Sequence, residues 1–167
     1  MKVKLLFVCF ILFVTNGVAQ QKFKGEQGVT SVGGIVGIAV ESEMAVVGVD
    51  YRYNIHDRVR LAPSVLYLIQ KNYRDIWYIN ADVHYLARIT RDITLYPIGG
   101  LGASVWSHYR IGDMILKDIK YRFGFNMGFG GEIRLTKDII VGGEFKYNLT
   151  ERGYNQAMIL ARVAYYF

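Results

Sequence analysis

The 167-residue chain has one cysteine and two prolines. A single cysteine excludes an internal disulfide framework, and so few prolines leave no room for a proline-rich linker. Lys and Arg are scattered rather than clustered, so the electrostatic footprint of a nucleic-acid binder is missing. Long hydrophobic runs are also missing beyond the N-terminus. The longest later stretch free of Asp, Glu, Lys and Arg, Ile93 to Tyr109, contains Pro97, His108, two serines and Gly99-Gly100-Leu101-Gly102, which makes a poor helix. What the chain has instead is 52% hydrophobic residues, 18 Gly, 13 Tyr and 9 Phe, with a mean hydropathy of +0.18. That composition excludes a disordered polymer and a collagen, and the length suits one domain. The question is where so much apolar and aromatic surface goes.

Part of it lies in a leader. Lys2 and Lys4 precede an apolar run from Leu5 to Val14, and Gly17-Val18-Ala19 places small residues before a cut ahead of Gln20. This pattern predicts a secretory signal peptide over residues 1–19. The run is too short for a spanning helix, which needs about 20 residues. Cys9 falls inside it, so the mature chain is expected to have no cysteine, and no disulfide or thiol chemistry. Losing Lys2 and Lys4 takes the formal charge from +6 to +4.

The remainder reads as strands, being rich in Val, Ile, Tyr and Phe and broken by turn-like groups. Eight are predicted, near 28–40, 44–53, 59–69, 76–88, 93–107, 121–134, 138–148 and 157–167. In the last seven, one face is free of charge. It reads Val47, Val49, Tyr51 on one strand, Ile79, Ala81, Val83, Tyr85 on another, and Ile159, Ala161, Val163, Tyr165, Phe167 on the last. The other face carries Asp50, Arg52, Arg60, Asp82, His84, Arg88, Arg122, Glu132, Arg134, Glu144, Lys146 and Arg162. The first strand is apolar and glycine-rich on both faces, which leaves its register open.

Two closed architectures suit this alternation: a soluble barrel with a ligand-filled apolar interior, or a membrane barrel with its apolar face in lipid. Aromatic placement discriminates between them. In an up-and-down chain Tyr67, Trp77, Tyr121, Phe123, Phe145 and Tyr147 fall at one rim of the apolar face. Tyr51, Tyr53, Tyr85, Tyr165 and Phe167 fall at the other. Amphipathic rings gain from headgroup depth, so two girdles favour a bilayer, whereas a ligand cavity gives no reason for them. The expected fold is an all-β, eight-stranded antiparallel up-and-down transmembrane β-barrel over residues 28–167, preceded by a short periplasmic segment, residues 20–27.

Connections orient it. Asn54–Arg58, Arg88–Asp92 and Arg134–Asp138 are short and alike, with an aliphatic residue, Thr or His, then charge. The opposite connections vary, and His108 to Lys120 is the longest. Short turns mark the periplasmic side of an outer-membrane barrel and long variable loops the extracellular side.

The leader, the alternating strands, the segment Leu95-Tyr96-Pro97-Ile98-Gly99-Gly100-Leu101-Gly102 and the ending Ala164-Tyr165-Tyr166-Phe167 together resemble small outer-membrane β-barrel proteins of the OmpA/OmpX type. They are most similar to the short barrels of Bacteroidetes-like bacteria, among them the PorT-like proteins. The resemblance implies an outer-membrane location, contact with outer-membrane lipid and lipopolysaccharide, and recognition of Val163, Tyr165 and Phe167 by the barrel-assembly machinery. The OmpA type adds a peptidoglycan-binding domain after the barrel; none is expected here, so wall tethering is not implied.

An eight-stranded barrel is just wide enough for side chains to fill it. Asp50, Arg52, Asp82, Arg122, Glu132, Glu144, Lys146 and Arg162 are therefore expected to pair across the lumen, since an unpaired buried charge is costly. This predicts a plugged lumen and no general diffusion pore. Catalysis is not expected: Asp82, His84 and Ser64 share the lumen face, but His84 lies near the inner end of its strand, and Ser107-His108 has no obvious orienting acid. Three scattered histidines make no metal site, and no cofactor is implied. Binding remains the open function, structural or adhesive. Within His108 to Lys120, Arg110, Asp113, Met114, Leu116 and Lys117 suit an extended hairpin that presents an edge or apolar stripe to a protein partner. The alternative is a PorT-like role in a secretion or gliding assembly. A monomer is expected.

Overall fold

In a computed structural model of the protein, the described residues are 26–71, 74–110, 116–150 and 154–167. The expected signal peptide lies outside them, as do Asp113 and Met114 of the expected binding loop. The strands are β1 (Thr30–Ala39), β2 (Met44–His56), β3 (Val59–Lys71), β4 (Arg74–Tyr85), β5 (Ala87–Arg88), β6 (Ile93–Arg110), β7 (Leu116–Arg134), β8 (Ile139–Thr150) and β9 (Gln156–Tyr166). Since β5 continues β4 past Leu86, the chain makes an eight-stranded barrel. Each strand pairs antiparallel with its chain neighbours, β4 with β6 and β1 with β9, so among the described residues the ladders close the wall on itself. Full closure is what lets a sheet cross a bilayer with every backbone polar group paired.

Both prolines stand where a ladder lapses. The β2–β3 pairing runs through Asp50 with Ser64, then resumes at Tyr53 with Leu61, on either side of Pro63. The β4–β6 pairing stops at His84 with Ile98 and resumes at Ala87 with Leu95, on either side of Pro97. Proline has no N–H to give a ladder. That is why the strand predicted as continuous over 76–88 is divided at Leu86, whose N–H turns to the carbonyl of Arg58 at 2.8 Å.

From β2 onward the even-numbered side chains form the inner face and the odd-numbered ones the outer face. In β1 the sense is reversed, because the tight turn over 40–43, with Glu43 at a φ of 51°, changes parity between Ala39 and Met44. Ser31, Gly33, Ile35, Gly37 and Ala39 thus point inward, which fixes the register the sequence left open. The outer face is apolar and exposed: Val36, Leu101 and Phe129 are each about 60% accessible, as a lipid-facing wall requires.

The strand ends differ from the predicted ones chiefly in β6 and β7. Their ladder continues beyond 107 and 121 to Arg110 opposite Leu116, so most of the expected loop from His108 to Lys120 is hairpin strand. At the end that carries Glu26 and Phe167 the turns are short. Two of them are superimposable in chemistry: Thr90 Oγ1 accepts from the N–H groups of Asp92 and Ile93, and Thr136 Oγ1 from those of Asp138 and Ile139. In both, the Thr hydroxyl serves donors that a tight connection leaves free.

Candidate functional site

The lumen is filled in two layers. In the half nearest the termini, Arg52 donates to Asp50 at 2.7 Å, to Glu132 at 3.1 Å, to the Tyr96 hydroxyl at 3.0 Å and to Glu144. Arg60 forks onto both oxygens of Glu132 at 2.8 and 2.9 Å, and its Nε donates to Asn54 at 2.8 Å. Lys146 donates to Asp82 at 2.6 Å, and Arg162 to Asp50 at 2.7 Å. All of these side chains are almost fully buried. Buried charges hold only when paired and hydrogen-bonded, and here four acids, Asp50, Asp82, Glu132 and Glu144, face four bases, Arg52, Arg60, Lys146 and Arg162.

The other cations of the inner face are placed elsewhere. Arg122, expected among the lumen ion pairs, stands at the far mouth with its guanidinium 3.3 Å from the centroid of the Tyr154 ring and 5.5 Å from that of Trp106. Arg88 and Arg134 both donate to Glu26, which lies just before β1. The Glu26 carbonyl also accepts from Asn54 at 3.1 Å, and Tyr166 donates to its carboxylate at 3.3 Å. One acid from the N-terminal segment thus spans the terminal mouth. The sequence carried a sign of this: two alike turns, each preceded by an arginine, imply a shared acidic partner.

The far half of the lumen is apolar. Ile35, Val46, Leu66, Leu68, Ile76 and Leu160 pack there with Tyr78, Trp106 and Met158 as a single buried cluster. Strand parity places these residues inside but says nothing of depth, so the sequence reading mixed them with the charged set. Between the layers Asn126 donates to Asp82 at 2.7 Å and Asn148 to Asn126 at 2.6 Å.

Among the described residues the lumen does not bring Ser64, Asp82 and His84 together. His84 stacks on Tyr96 with ring centroids 4.6 Å apart, and among the described residues neither of its ring nitrogens has a hydrogen-bond partner. Asp82 is engaged by Lys146 and Asn126, and Ser64 accepts from Asn80 at 3.2 Å. Ser64, Asp82 and His84 therefore make no hydrogen-bonded triad. Among the described residues no group of three or more His, Cys, Asp or Glu could hold a metal ion.

The remaining expected sites lie on the outside. Val163, Tyr165 and Phe167 line the outer face of β9 and the chain end, with the Tyr165 and Phe167 rings edge to face at 5.3 Å. Arg110, Leu116 and Lys117 are placed by backbone register at the tip of the β6–β7 ladder.

Residues 8–167 match the family of the outer membrane protein beta-barrel domain. The chain belongs to that family. Among solved structures it is similar to the N-terminal β-barrel domain of Pseudomonas aeruginosa OprF, with a TM-score of 0.68 and 15% identity over 84% of this chain and 98% of that one. It is also similar to Neisserial surface protein A, with a TM-score of 0.65 and 13% identity over 83% and 96% of the two chains. Ail, the attachment invasion locus protein of Yersinia pestis, gives 0.61 and 14% over 84% and 99%. No curated protein matches in sequence. The protein is an outer-membrane β-barrel of the small, eight-stranded kind, and the apolar outer face with its aromatic rims is the surface that meets lipid.

Proposed function

We propose that this outer-membrane barrel is a rigid, side-chain-filled anchor whose function is surface binding through the β6–β7 hairpin. The observation that carries the reading is a mismatch of ladder lengths. The β6–β7 ladder reaches Arg110 opposite Leu116, whereas β8 pairs with β7 only as far as Thr150 opposite Gly124. Among the described residues the stretch of β7 from Leu116 to Phe123 therefore has a ladder partner on one side only. Such an edge offers backbone N–H and C=O groups to an added strand. Its outward side chain Ile119 is exposed, beyond the rim rings Tyr121 and Phe123.

In this reading the terminal end faces the periplasm, the N-terminal segment stays there, and the hairpin projects outward past the lipopolysaccharide leaflet. Val163, Tyr165 and Phe167 form the outward aromatic and aliphatic stripe that assembly machinery would take. The barrel serves as a monomer and contributes no chemistry of its own. One of the similar barrels, Ail, carries attachment in its name and has been solved with the heparin analogue sucrose octasulfate, which makes a sulfated polysaccharide a sensible first probe. The test replaces residues 109–117 with a two-residue turn. Heat-modifiable gel mobility should be retained, while cells producing the trimmed protein should lose adhesion to heparin-coated or protein-coated surfaces. Adhesion equal to that of the intact protein would overturn the reading.

A further inference from the structure

Every ladder in the barrel except one joins strands that follow each other in the chain; β1 and β9 alone bring the two ends together. A hairpin inherits its register from its turn, and the β1–β9 seam has no turn. Its outward pairs do not fix the register either. Val32 faces Tyr165, Gly34 faces Val163, Val36 faces Ala161 and Ile38 faces Ile159. A slip of two residues would preserve the inward and outward parity and still set apolar residues against apolar ones.

The inner face is different. Arg162 on β9 reaches past β1 to Asp50 on β2, with Nε 2.7 Å from Oδ2, and its Nη2 donates to Ser31 on β1 at 3.1 Å. The residue it crosses is Gly33. A Cβ there would lie 2.7 Å from both the Arg162 Nε and the Asp50 Oδ1. After a two-residue slip the guanidinium would cross Ser31 or Ile35 instead, and would stand about 7 Å along the strand from its carboxylate. Arg162 would be left buried without its carboxylate, while Asp50 would keep only Arg52 on its own strand.

We propose that Asp50, Gly33 and Arg162 form the register lock of the closing seam, the interaction that separates the correctly closed barrel from one closed two residues out of step. Two other seam contacts, Tyr166 to Glu26 at 3.3 Å and Gln156 to Glu41 at 2.9 Å, lie at the mouths and are only partly buried. Exposed polar contacts are weak, so the buried clamp dominates the choice.

The test uses the full chain in a Cys9→Ala background and reads which cysteines oxidise to a disulfide, a bond that requires Cα atoms within about 7 Å. Gly34→Cys with Val163→Cys reports the observed register, and Gly34→Cys with Ala161→Cys or Tyr165→Cys reports a slip. With the clamp intact, only the first pair should close. In Asp50→Asn or Arg162→Gln the slipped disulfides should appear at the expense of the first, and the temperature of the gel-mobility shift should fall by about 10 °C. Lys146→Gln, at a buried pair away from the seam, should lower the temperature without producing a slipped disulfide. If the charge variants do not assemble, Gly33→Ala carries the same test with every charge in place. A clamp variant that forms only the 34–163 disulfide, or slipped disulfides as abundant in Lys146→Gln, would overturn the proposal.

Discussion

The ring of Tyr96 on β6 crosses Gly130 on β7 and places its hydroxyl 2.9 Å from Glu144 on β8. The three residues stand in one row of the ladder. The same arrangement recurs at Asp82 on β4 and Asn126 on β7, which meet over Gly100 on β6. In each case the polar contact skips a strand, and the skipped strand has no side chain at that point. Along the wall, side chains two strands apart meet here where the intervening position has no side chain of its own.

Gly130→Ala should therefore act on Tyr96. A Cβ at this position would lie 2.6 Å from the ring, which must move and loosen its bonds to Glu144 and Arg52. Disturbing such buried bonds costs about 1–3 kcal/mol, to be read as a lower temperature of the heat-modifiable mobility shift. Gly34→Ala, where a Cβ meets nothing within 4 Å, should leave that temperature nearly unchanged.

Glu132→Gln should be among the most damaging lumen substitutions, because it leaves Arg60 and Arg52 without the carboxylate they share. Removing one member of a buried pair costs about 3–5 kcal/mol. The double variant Arg60→Met with Glu132→Leu should cost clearly less than the two single variants added together, since no charge is then orphaned. Urea unfolding in lipid vesicles measures all three, and strict additivity would contradict the expectation.

Depth on the lipid face should grade the effect of charge. Val36 is 60% exposed in the middle of the seam, and Leu135 is 61% exposed in a turn at the terminal end. Val36→Arg should cost about 2–4 kcal/mol in vesicles, and Leu135→Arg about 0–1 kcal/mol. Equal costs would mean that the outer face does not cross the bilayer as placed.

Planar-bilayer recordings should show no discrete channel for the intact protein. Glu26→Gln should not create one either, although it removes the carboxylate that Arg88 and Arg134 share. The ion-pair layer and the apolar cluster above it are each expected to obstruct so narrow a lumen.

The barrel was legible in the sequence because alternation is a local property. Parity assigned the outer face of β2 to β9 residue by residue, from Ala45 to Phe167, and the matching family and solved barrels have the same architecture. What alternation cannot report is height. Leu66 and Ser64 have the same parity on the same strand, yet one packs into the apolar cluster and the other accepts from Asn80. Glu26 was missed because it precedes the first strand, and its partners Arg88 and Arg134 lie far along the chain. Arg122 was expected among the ion pairs because parity turned it inward; its level, beside Trp106 and Tyr154, gives it rings in place of acids.

Phe167 lies beside the start of β1, with its N–H bonded to the Thr30 carbonyl at 2.9 Å. The turn from Arg88 to Ile93 is short, exposed and chemically equivalent to its counterpart at Arg134. A circular permutant opened within that turn, with Phe167 linked to a chain starting at Glu26, would keep the ladders and lumen contacts described above. Only the seam would move, to the boundary between β5 and β6. Arg162 and Asp50 would then sit within a covalently continuous stretch, and Asp82 with Asn126 would inherit the task of aligning the final joint.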